Sequence, residues 1–392
     1  MVFDVKAQKI AAKGQCIAHL PPESGRGGKT VFIQGAIPGE ALKVIITAEK
    51  KDWAAARIVE VVEPSPHRVA PACNWQPVCG GCDFSHIEGA QQVELKKQIL
   101  IDCLRRQGVE HTGVEVVFGQ QTHYRCRFRL HDGCFMKRTS HDKAGITSCL
   151  VATQQMNEYL AAVSPKDRPS GSCVVFASSL LTPRPLATTE AGRLAQVVVQ
   201  SERDEDNKAT VNLLGKRITF DVRGFFQSNM ELLEKTVPLV VQGLEGMRAV
   251  DLYAGVGTFA VFLADRFDEV CVVERDERAA GFAKVNLAGK KARVYGESAA
   301  LWCSRQSKTG GKRRGGFDAA VVDPPRGGMD KATVRWLCSS GVNNIRSLSC
   351  DPATHARDLK LLTSAGYKMT RLVLLDFLPQ TSHVESLAYL KR

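Results

Sequence analysis

The sequence predicts an α/β protein with three parts: a small N-terminal β-barrel, a mostly β central domain, and a C-terminal Rossmann-like domain with a mixed, mostly parallel sheet. Two observations carry this prediction. From residue 247 onward, apolar runs alternate with amphipathic stretches, which is typical of parallel strands joined by helices. The first sixty residues instead contain short β-rich runs separated by glycine and proline. The 392-residue chain is long enough for two or three domains.

The N-terminal segment, residues 1–63, has the pattern of a small barrel. Its β-rich runs lie at 31–33, 41–47 and 54–62. Short, evenly spaced strands in so small a segment favour closure, because a closed sheet has no exposed edge. We therefore expect this segment to fold as a barrel ahead of the other two domains.

The charge balance indicates a polyanionic partner. Lys and Arg number 53 against 41 Asp and Glu, which gives a net charge of +12. Nucleic acid is the natural candidate, although solvated basic faces are the simpler alternative. The N-terminus lacks the pattern of a signal peptide, and no apolar run approaches the length of a membrane span. We therefore expect a cytoplasmic protein.

A cysteine motif opens the central domain, which we place at residues 64–225. Cys73, Cys79 and Cys82 have the spacing C-x5-C-G-G-C. Disulfides are disfavoured in the cytosol, so three close thiols indicate a metal site, either a structural zinc or an iron–sulfur cluster. A [4Fe–4S] cluster needs a fourth thiolate from elsewhere. The candidates are Cys103, Cys126, Cys134 and Cys149.

The rest of the central domain gives weaker signals. A helix is predicted over 91–107, and β-like runs follow at 124–130, 211–214 and 217–222. These runs are the reason for expecting a mostly β domain.

In the C-terminal domain, residues 226–392, the first strand runs into a glycine-rich turn. Gly255, Gly257 and Ala260 fit a loose dinucleotide fingerprint, and Glu274 follows where an acid can accept hydrogen bonds from ribose hydroxyls. The pattern suits NAD and S-adenosylmethionine equally. Asp251 favours the second, because a carboxylate attracts its ammonium and sulfonium groups and repels a pyrophosphate.

Three further residues lie near strand ends, where ligands of such sheets bind. Asp323 precedes two prolines, Cys350 precedes a helix expected to begin near residue 353, and Glu385 opens a final strand at 386–390. That helix is expected to lower the pKa of Cys350 and make it a nucleophile. The structural alternatives are a buried cysteine and a solvated edge glutamate.

Together these side chains suit methylation of carbon 5 of uracil. That carbon cannot attack a sulfonium methyl unaided, but adding a thiolate to carbon 6 creates an enolate that can. A carboxylate must afterwards remove the proton on carbon 5 before the cysteine can leave. Cys350 and Glu385 fit these two roles.

The chain resembles the RNA uracil-5 methyltransferase family, and specifically its members with an N-terminal TRAM domain and a [4Fe–4S] cluster. The resemblance spans nearly the whole length. It rests on five motifs in the family's order: Ile37-Pro38-Gly39-Glu40, the C-x5-C-G-G-C motif, Phe225-Phe226-Gln227-Ser228-Asn229, Asp323-Pro324-Pro325-Arg326 with Ser349-Cys350-Asp351-Pro352, and His383-Val384-Glu385.

The resemblance implies specific roles. Cys350 matches the family's nucleophile and Glu385 its proton acceptor. The positions matching residues that contact the cofactor or the uracil are Gln227, Tyr253, Glu274 and Asp323. Thr258 belongs to the cofactor-binding set, although relatives commonly have Asn there, as they do at Asp351. Cys149 lies in a segment similar to the one that supplies the fourth cluster ligand.

Several readings of the function stay open from the sequence. The leading one is an S-adenosylmethionine-dependent methyltransferase acting on uridine, with ribosomal RNA favoured over transfer RNA. Alternatives are methylation of cytosine or an exocyclic amine, and an RNA-binding protein with a lapsed methyltransferase fold. An NAD enzyme is disfavoured, because nothing supplies a partner for hydride transfer. The basic stretch 304–316 is expected to be a surface loop.

Overall fold

The computed structural model describes residues 1–22, 27–138, 140, 142–182, 196–201, 208–308 and 316–392. Within these ranges, no helix has the length and apolar character needed to cross a membrane.

The N-terminal segment folds into a six-stranded sheet with the order β1-β5-β6-β4-β3-β2. The two edge strands, β1 and β2, are consecutive in the chain. The sheet therefore curls so that its two edges come together, as in a barrel. Alternate side chains such as Phe3, Val5, Val31 and Ile33 form its core. The three strands predicted from sequence are present. The strands are β1 (Val2–Lys6), β2 (Lys9–Ile10), β3 (Cys16–His19), β4 (Thr30–Ile33), β5 (Ala41–Glu49) and β6 (Trp53–Glu63).

The C-terminal half is organised around an eight-stranded sheet with the order β17-β16-β15-β18-β19-β21-β20-β7. Only β21 runs antiparallel to its neighbours, so the expected mixed, mostly parallel sheet is confirmed. The strands are β7 (Glu115–Val117), β15 (Gly246–Leu252), β16 (Phe267–Glu274), β17 (Ala292–Gly296), β18 (Ala319–Val322), β19 (Asn344–Ser349), β20 (Lys368–Leu375) and β21 (Glu385–Lys391).

Helices cover both faces of this sheet, which explains why its central strands are continuously apolar. Every residue of β18 is buried. Several helices begin at an aspartate whose carboxylate accepts backbone N–H groups, as Asp276, Asp330 and Asp351 do. The helices of this half are α3 (Met230–Val241), α4 (Thr258–Leu263), α5 (Glu277–Asn286), α6 (Ala299–Lys308), α7 (Lys331–Ser339) and α8 (Pro352–Ser364).

Elements of the segment 64–225, which is predicted to be one central domain, pack in more than one core of the molecule. Helix α1 (Gly89–Gln107), close to its predicted bounds, buries an apolar stripe with Leu359 of α8, and β7 extends the large sheet beside β20. The local pattern identified the helix but could not show which layer it joins.

The remaining central elements form a separate core around Phe128, Tyr159 and Val175. A three-stranded antiparallel sheet and a short hairpin build it together with one helix. The elements are β8 (Arg127–His131), β9 (Phe135–Met136), β10 (Lys143–Ala144), α2 (Gln154–Ala162), β11 (Ser172–Ala177) and β12 (Val197–Ser201). The hairpin of β13 (Lys208–Leu213) and β14 (Lys216–Asp221) packs in the core that contains α3.

The expected basic loop 304–316 is corrected in part. Helix α6 extends to residue 308, so the beginning of that stretch is helical. Residues 309–315, which carry most of its basic side chains, lie outside the described residues.

Candidate active site and cysteine cluster

Strand register places Cys350 beside Glu385. Strands β19 and β21 pair antiparallel with Ser349 opposite Ser386, so the next position along β19 is opposite Glu385. On its other side, Glu385 pairs with Leu375 of β20. Two residues 35 positions apart in sequence therefore meet at one edge of the sheet because of backbone hydrogen bonding.

Asp323 and Gln227 reach the same place. A small cleft is lined by Gln227, Asp323 and Glu385 together with apolar side chains that include Phe259 and Phe377. Asp323 follows β18, and Gln227 lies just before α3. We call Cys350, Glu385, Asp323 and Gln227 the strand-end site.

The expected effect of the α8 N-terminus on Cys350 is wrong. Burial, followed by the charges of Glu385 and Asp323, raises the pKa of the Cys350 thiol to about 11. The helix does not offset this, because the Asp351 carboxylate accepts the N–H groups of Ala353 at 3.1 Å and Thr354 at 2.9 Å. The helix dipole is thus already neutralised by an acid.

Both carboxyl groups of the site have raised pKa values. Burial and then Asp323 raise the pKa of Glu385 to about 8, while Lys96 and Arg326 act in the opposite direction. Burial raises the pKa of Asp323 to about 6. At neutral pH, most Glu385 side chains are therefore protonated, and the ionised fraction grows as pH rises.

The glycine-rich turn after β15 has the geometry of a ligand-binding loop. Gly255 and Gly257 have φ of 56° and 80°, in the region that favours glycine. The Gly255 N–H donates to Glu274 Oε2 at 2.9 Å, and the Asp276 N–H donates to Oε1 at 2.7 Å. Glu274 is therefore fixed at the end of β16, where ribose hydroxyls were expected.

The other two residues of the predicted cofactor set, Tyr253 and Thr258, are not among the side chains that line the cleft. The Tyr253 hydroxyl donates to Asp330 Oδ2 at 2.8 Å and lies 3.2 Å from Thr333 Oγ1, so its ring is tied to the start of α7. Thr258 is the first residue of α4 and is half-buried.

Asp251 fits a cationic ligand on this edge. Its Oδ2 atom accepts the Ala260 N–H at 3.0 Å, while its buried Oδ1 atom has no hydrogen-bond partner among the described residues. Burial, and then Asp323, raise the pKa of this carboxyl well above its usual value. Such a carboxyl would be stabilised by a donor or a positive charge, which S-adenosylmethionine carries.

Lys96 and Asp376 form a buried ion pair that is not among the residues predicted from the sequence. Lys96 Nζ lies 2.6 Å from Asp376 Oδ1, and both side chains have 0% exposure. The available signal was a lysine within the apolar stripe of α1, four residues after the buried Gln92 and four before Leu100. A charged residue at such a position indicates a buried partner.

The structure brings the predicted cysteine ligands near one another. The pKa of the Cys82 thiol is raised to about 12, mainly because the thiol is buried and to a smaller extent because of the nearby charges of Cys149, Cys79 and Cys73. In the same loop, the Gly81 N–H donates to the Cys79 sulfur at 3.4 Å. We call these four cysteines the cysteine cluster. Of the four candidates for the fourth ligand, Cys149 is the one that contributes to the rise in the pKa of Cys82.

Four thiols and an N–H donor to sulfur are the kinds of groups that a thiolate-bound metal uses. Gly80 permits the 73–82 loop to approach the backbone at Arg138 closely, because a Cβ at Gly80 would lie 3.1 Å from the Arg138 Cα. In the described part of the chain, however, no three His, Cys, Asp or Glu side chains are arranged as a metal site.

Sequence comparisons find relatives over the whole chain. Residues 312–392 match the family model for tRNA (uracil-5-)-methyltransferases. A Treponema denticola protein named as an uncharacterized RNA methyltransferase is 31% identical and covers 99% of this chain and 98% of its own. A Shewanella amazonensis 23S rRNA (uracil(1939)-C(5))-methyltransferase is 31% identical and covers 97% of this chain and 95% of its own.

A solved structure shares the fold. The Pyrococcus abyssi tRNA (uracil-54, C5)-methyltransferase, in complex with S-adenosyl-L-homocysteine, has a TM-score of 0.70 at 22% sequence identity. The alignment covers 98% of this chain and 99% of that one. The likeness therefore extends beyond the large sheet to the N-terminal and central elements.

Proposed function

The chain belongs to the RNA uracil-5 methyltransferase family, and on that premise we propose that it transfers a methyl group from S-adenosylmethionine to carbon 5 of a uridine in ribosomal RNA. The observation that carries the proposal is the register of β19 and β21, which makes Cys350 and Glu385 neighbours. Methylation of an exocyclic amine would not need the Cys350 nucleophile.

S-adenosylmethionine is proposed to bind along the edge formed by the ends of β15, β16 and β18. Glu274 would accept hydrogen bonds from the ribose, and Asp251 would offer its buried Oδ1 to the cationic end. The glycine turn supports this, since a Cβ at Gly255 would meet no atom within 4 Å and leaves room for a ligand. Tyr253 and Thr258 are proposed to border the same site.

Cys350 is proposed to begin the chemistry by adding its thiolate to carbon 6 of uracil. The electrons of the broken double bond become an enolate, and carbon 5 then attacks the methyl carbon of S-adenosylmethionine. Gln227 and Asp323 line the cleft and are proposed to hold the polar edge of the uracil. The raised pKa of Cys350 means that substrate binding must provide for thiolate formation.

Glu385 is proposed to end the reaction. After transfer, carbon 5 carries both a methyl group and a proton, and the carboxylate removes the proton. The electrons return to form the double bond between carbons 5 and 6, and the Cys350 thiolate is expelled. A carboxyl with a pKa of about 8 is a strong base once it is ionised.

The other two parts are proposed to serve the RNA and the cluster. Residues 1–63 are proposed to be a TRAM-like RNA-binding barrel, a role supported by the curled sheet and by exposed lysines such as Lys9 and Lys13. Cys73, Cys79, Cys82 and Cys149 are proposed to hold a [4Fe–4S] cluster, with zinc as the alternative. Bound metal would crosslink the 73–82 loop to the segment at Cys149.

Nucleoside mapping tests the proposed reaction. Ribosomal RNA lacking the modification is incubated with the protein and S-adenosylmethionine, then digested and analysed by mass spectrometry. The expected product is 5-methyluridine at one position. Cys350→Ala should give none, whereas Cys338→Ala, which removes a half-buried thiol on α7, should retain activity. Methylated cytosine or adenine, or an active Cys350→Ala protein, would overturn the proposal.

A further inference from the structure

The buried ion pair of α1 is one residue from the strand partner of Glu385, because Asp376 follows Leu375. Besides Asp376, Lys96 Nζ donates to the Leu378 carbonyl at 2.9 Å. Both acceptors belong to the segment that follows β20, and β20 ends at Leu375, the strand partner of Glu385. One ammonium group therefore ties α1 to the backbone immediately beside the proposed base.

The surroundings of Glu385 are rich in acids and poor in buried cations. The titratable and charged groups that face it from the packed elements are Cys350 after β19, Asp323 and Arg326 after β18, Asp376 after β20 and Lys96 from α1, with His383 earlier on its own segment. Arg326 is exposed. Lys96 is thus the buried cation of this group, and it is balanced against three carboxyls.

We propose that Lys96 is a positioning residue for the proposed reaction: it anchors the segment after β20 beside Glu385, and its buried positive charge keeps part of the Glu385 population ionised for removal of the carbon 5 proton. This role rests on the proposed function and deepens it.

The geometry and the charges agree on this role. Burial lowers the pKa of the Lys96 ammonium, but the charge of Asp376 and its hydrogen bond act in the opposite direction and favour the charged form. Lys96 in turn acts against the rise in the pKa of Glu385, and more strongly than Asp376 adds to that rise. The pair as a whole therefore favours the ionised base.

The test separates proton removal from methyl transfer. RNA carrying tritium at carbon 5 of uridine is mixed with excess enzyme and methyl-labelled S-adenosylmethionine, and tritium release and methyl incorporation are followed from pH 6 to 9. Thiolate formation at Cys350 affects both signals. The ratio of the two rates isolates the step assigned to Glu385.

Two variants and a control are informative. Lys96→Met should move the midpoint of this ratio upward by about one pH unit, the size of effect expected from losing a nearby opposite charge. Lys96→Met with Asp376→Asn leaves no buried charge unpaired, and should show a smaller upward shift. Lys216→Met is the matched control, since Lys216 Nζ also binds a carboxylate (Asp265) and a carbonyl (Val261) but lies away from the cleft.

The outcomes are distinct. A double variant with the wild-type midpoint would mean that Lys96 acts only by neutralising Asp376, and this would overturn the proposal. An unchanged midpoint in Lys96→Met would overturn it too, while leaving the proposed function intact. Absence of tritium release from the wild-type protein would overturn both.

Discussion

The strand-end site is held by backbone pairing, whereas the cysteine cluster is held by loops. Cys350 and Glu385 follow from the register of two adjacent strands inside an eight-stranded sheet. Cys73, Cys79, Cys82 and Cys149 lie outside the named strands and helices. The first arrangement is maintained by the packing of the whole domain, and the second by turns and by single contacts such as the isolated bridge between Cys79 and Lys137.

The two regions are in contact nonetheless. Asp83, next to Cys82, accepts the Ser382 N–H at 2.9 Å through Oδ1. Gly14 from the N-terminal sheet has φ of 76° and packs so closely that a Cβ would collide with the Ser382 side chain. Ser382 lies three residues before Glu385. Changes in the cluster loop can therefore reach the strand-end site through this short segment.

The largest expected effect is loss of metal from the cysteine cluster, which should leave the strand-end site in place. The protein purified without oxygen should hold about four irons. Cys149→Ala should lose this metal, because a cluster with three thiolates lacks a ligand. Methylation should fall but not vanish, since the strand-end site is held by the sheet. Iron content and visible absorption measure the loss of metal, and a methyl-transfer assay measures the remaining activity.

Cys134→Ala is the control for that loss, because Cys134 is a half-buried thiol of the same central core region. It should keep its iron. One zinc in place of iron would reassign the metal, and loss of iron from Cys134→Ala instead of Cys149→Ala would reassign the fourth ligand.

The second expected effect sharpens the description of the strand-end site. Because the pKa of Glu385 is raised to about 8, its ionised fraction falls as pH drops below that value. Release of the carbon 5 proton should therefore slow by about tenfold per pH unit on the acid side. The ratio of proton release to methyl transfer, measured in single turnover against pH, checks this without the contribution of Cys350. A ratio that is flat between pH 6 and 8 would show that Glu385 is not the titrating base.

The strand-end site could be predicted from sequence only in part, because its geometry depends on the pairing of strands that are distant in the chain. Apolar runs identify strands and their polar ends, so Cys350 and Asp323 could be located from sequence. That Glu385 lies opposite Cys350 depends on an antiparallel register between strands whose order in the sheet no local pattern contains. The lower reactivity expected of the Cys350 thiol could not be predicted either, because it arises from burial and from two carboxyls distant in sequence.

For the cysteine cluster, the sequence indicates a site but does not identify all of its residues. The spacing of Cys73, Cys79 and Cys82 indicates a site, but spacing could not choose among four candidates for the fourth residue. Resemblance to a family made that choice, and the nearness of Cys149 to Cys82 agrees with it. Lys96 was missed because a single lysine on an amphipathic helix is usually solvated, and its partner Asp376 lies 280 residues away.

The smallest expected effect concerns the N-terminal sheet beside the strand-end site. Lys9 and Lys13 are exposed around the turn that contains Gly14. Replacing both with Ala should weaken RNA binding several-fold and reduce the slope of log affinity against log salt by about 0.7 per lost phosphate contact. S-adenosylmethionine binding should not change, as calorimetry can check.

Lys43→Ala is the matched control, because the Lys43 ammonium is 2.7 Å from Glu60 Oε2 on the same sheet. It should leave the salt slope near the wild-type value. Equal slopes for the wild type and the Lys9, Lys13 double variant would remove this turn from the RNA interface.

The central claim is that Cys350 and Glu385 act on the same uracil in a fixed order, and a denaturing gel tests it most directly. Glu385→Gln keeps the side-chain shape but cannot accept the proton, so addition and methyl transfer should proceed while elimination slows by about 10²–10⁴. With labelled S-adenosylmethionine, this variant should show a methyl-labelled protein–RNA band that survives denaturation, and Glu385→Gln combined with Cys350→Ala should show none. Normal turnover by Glu385→Gln without a trapped band would contradict the claim.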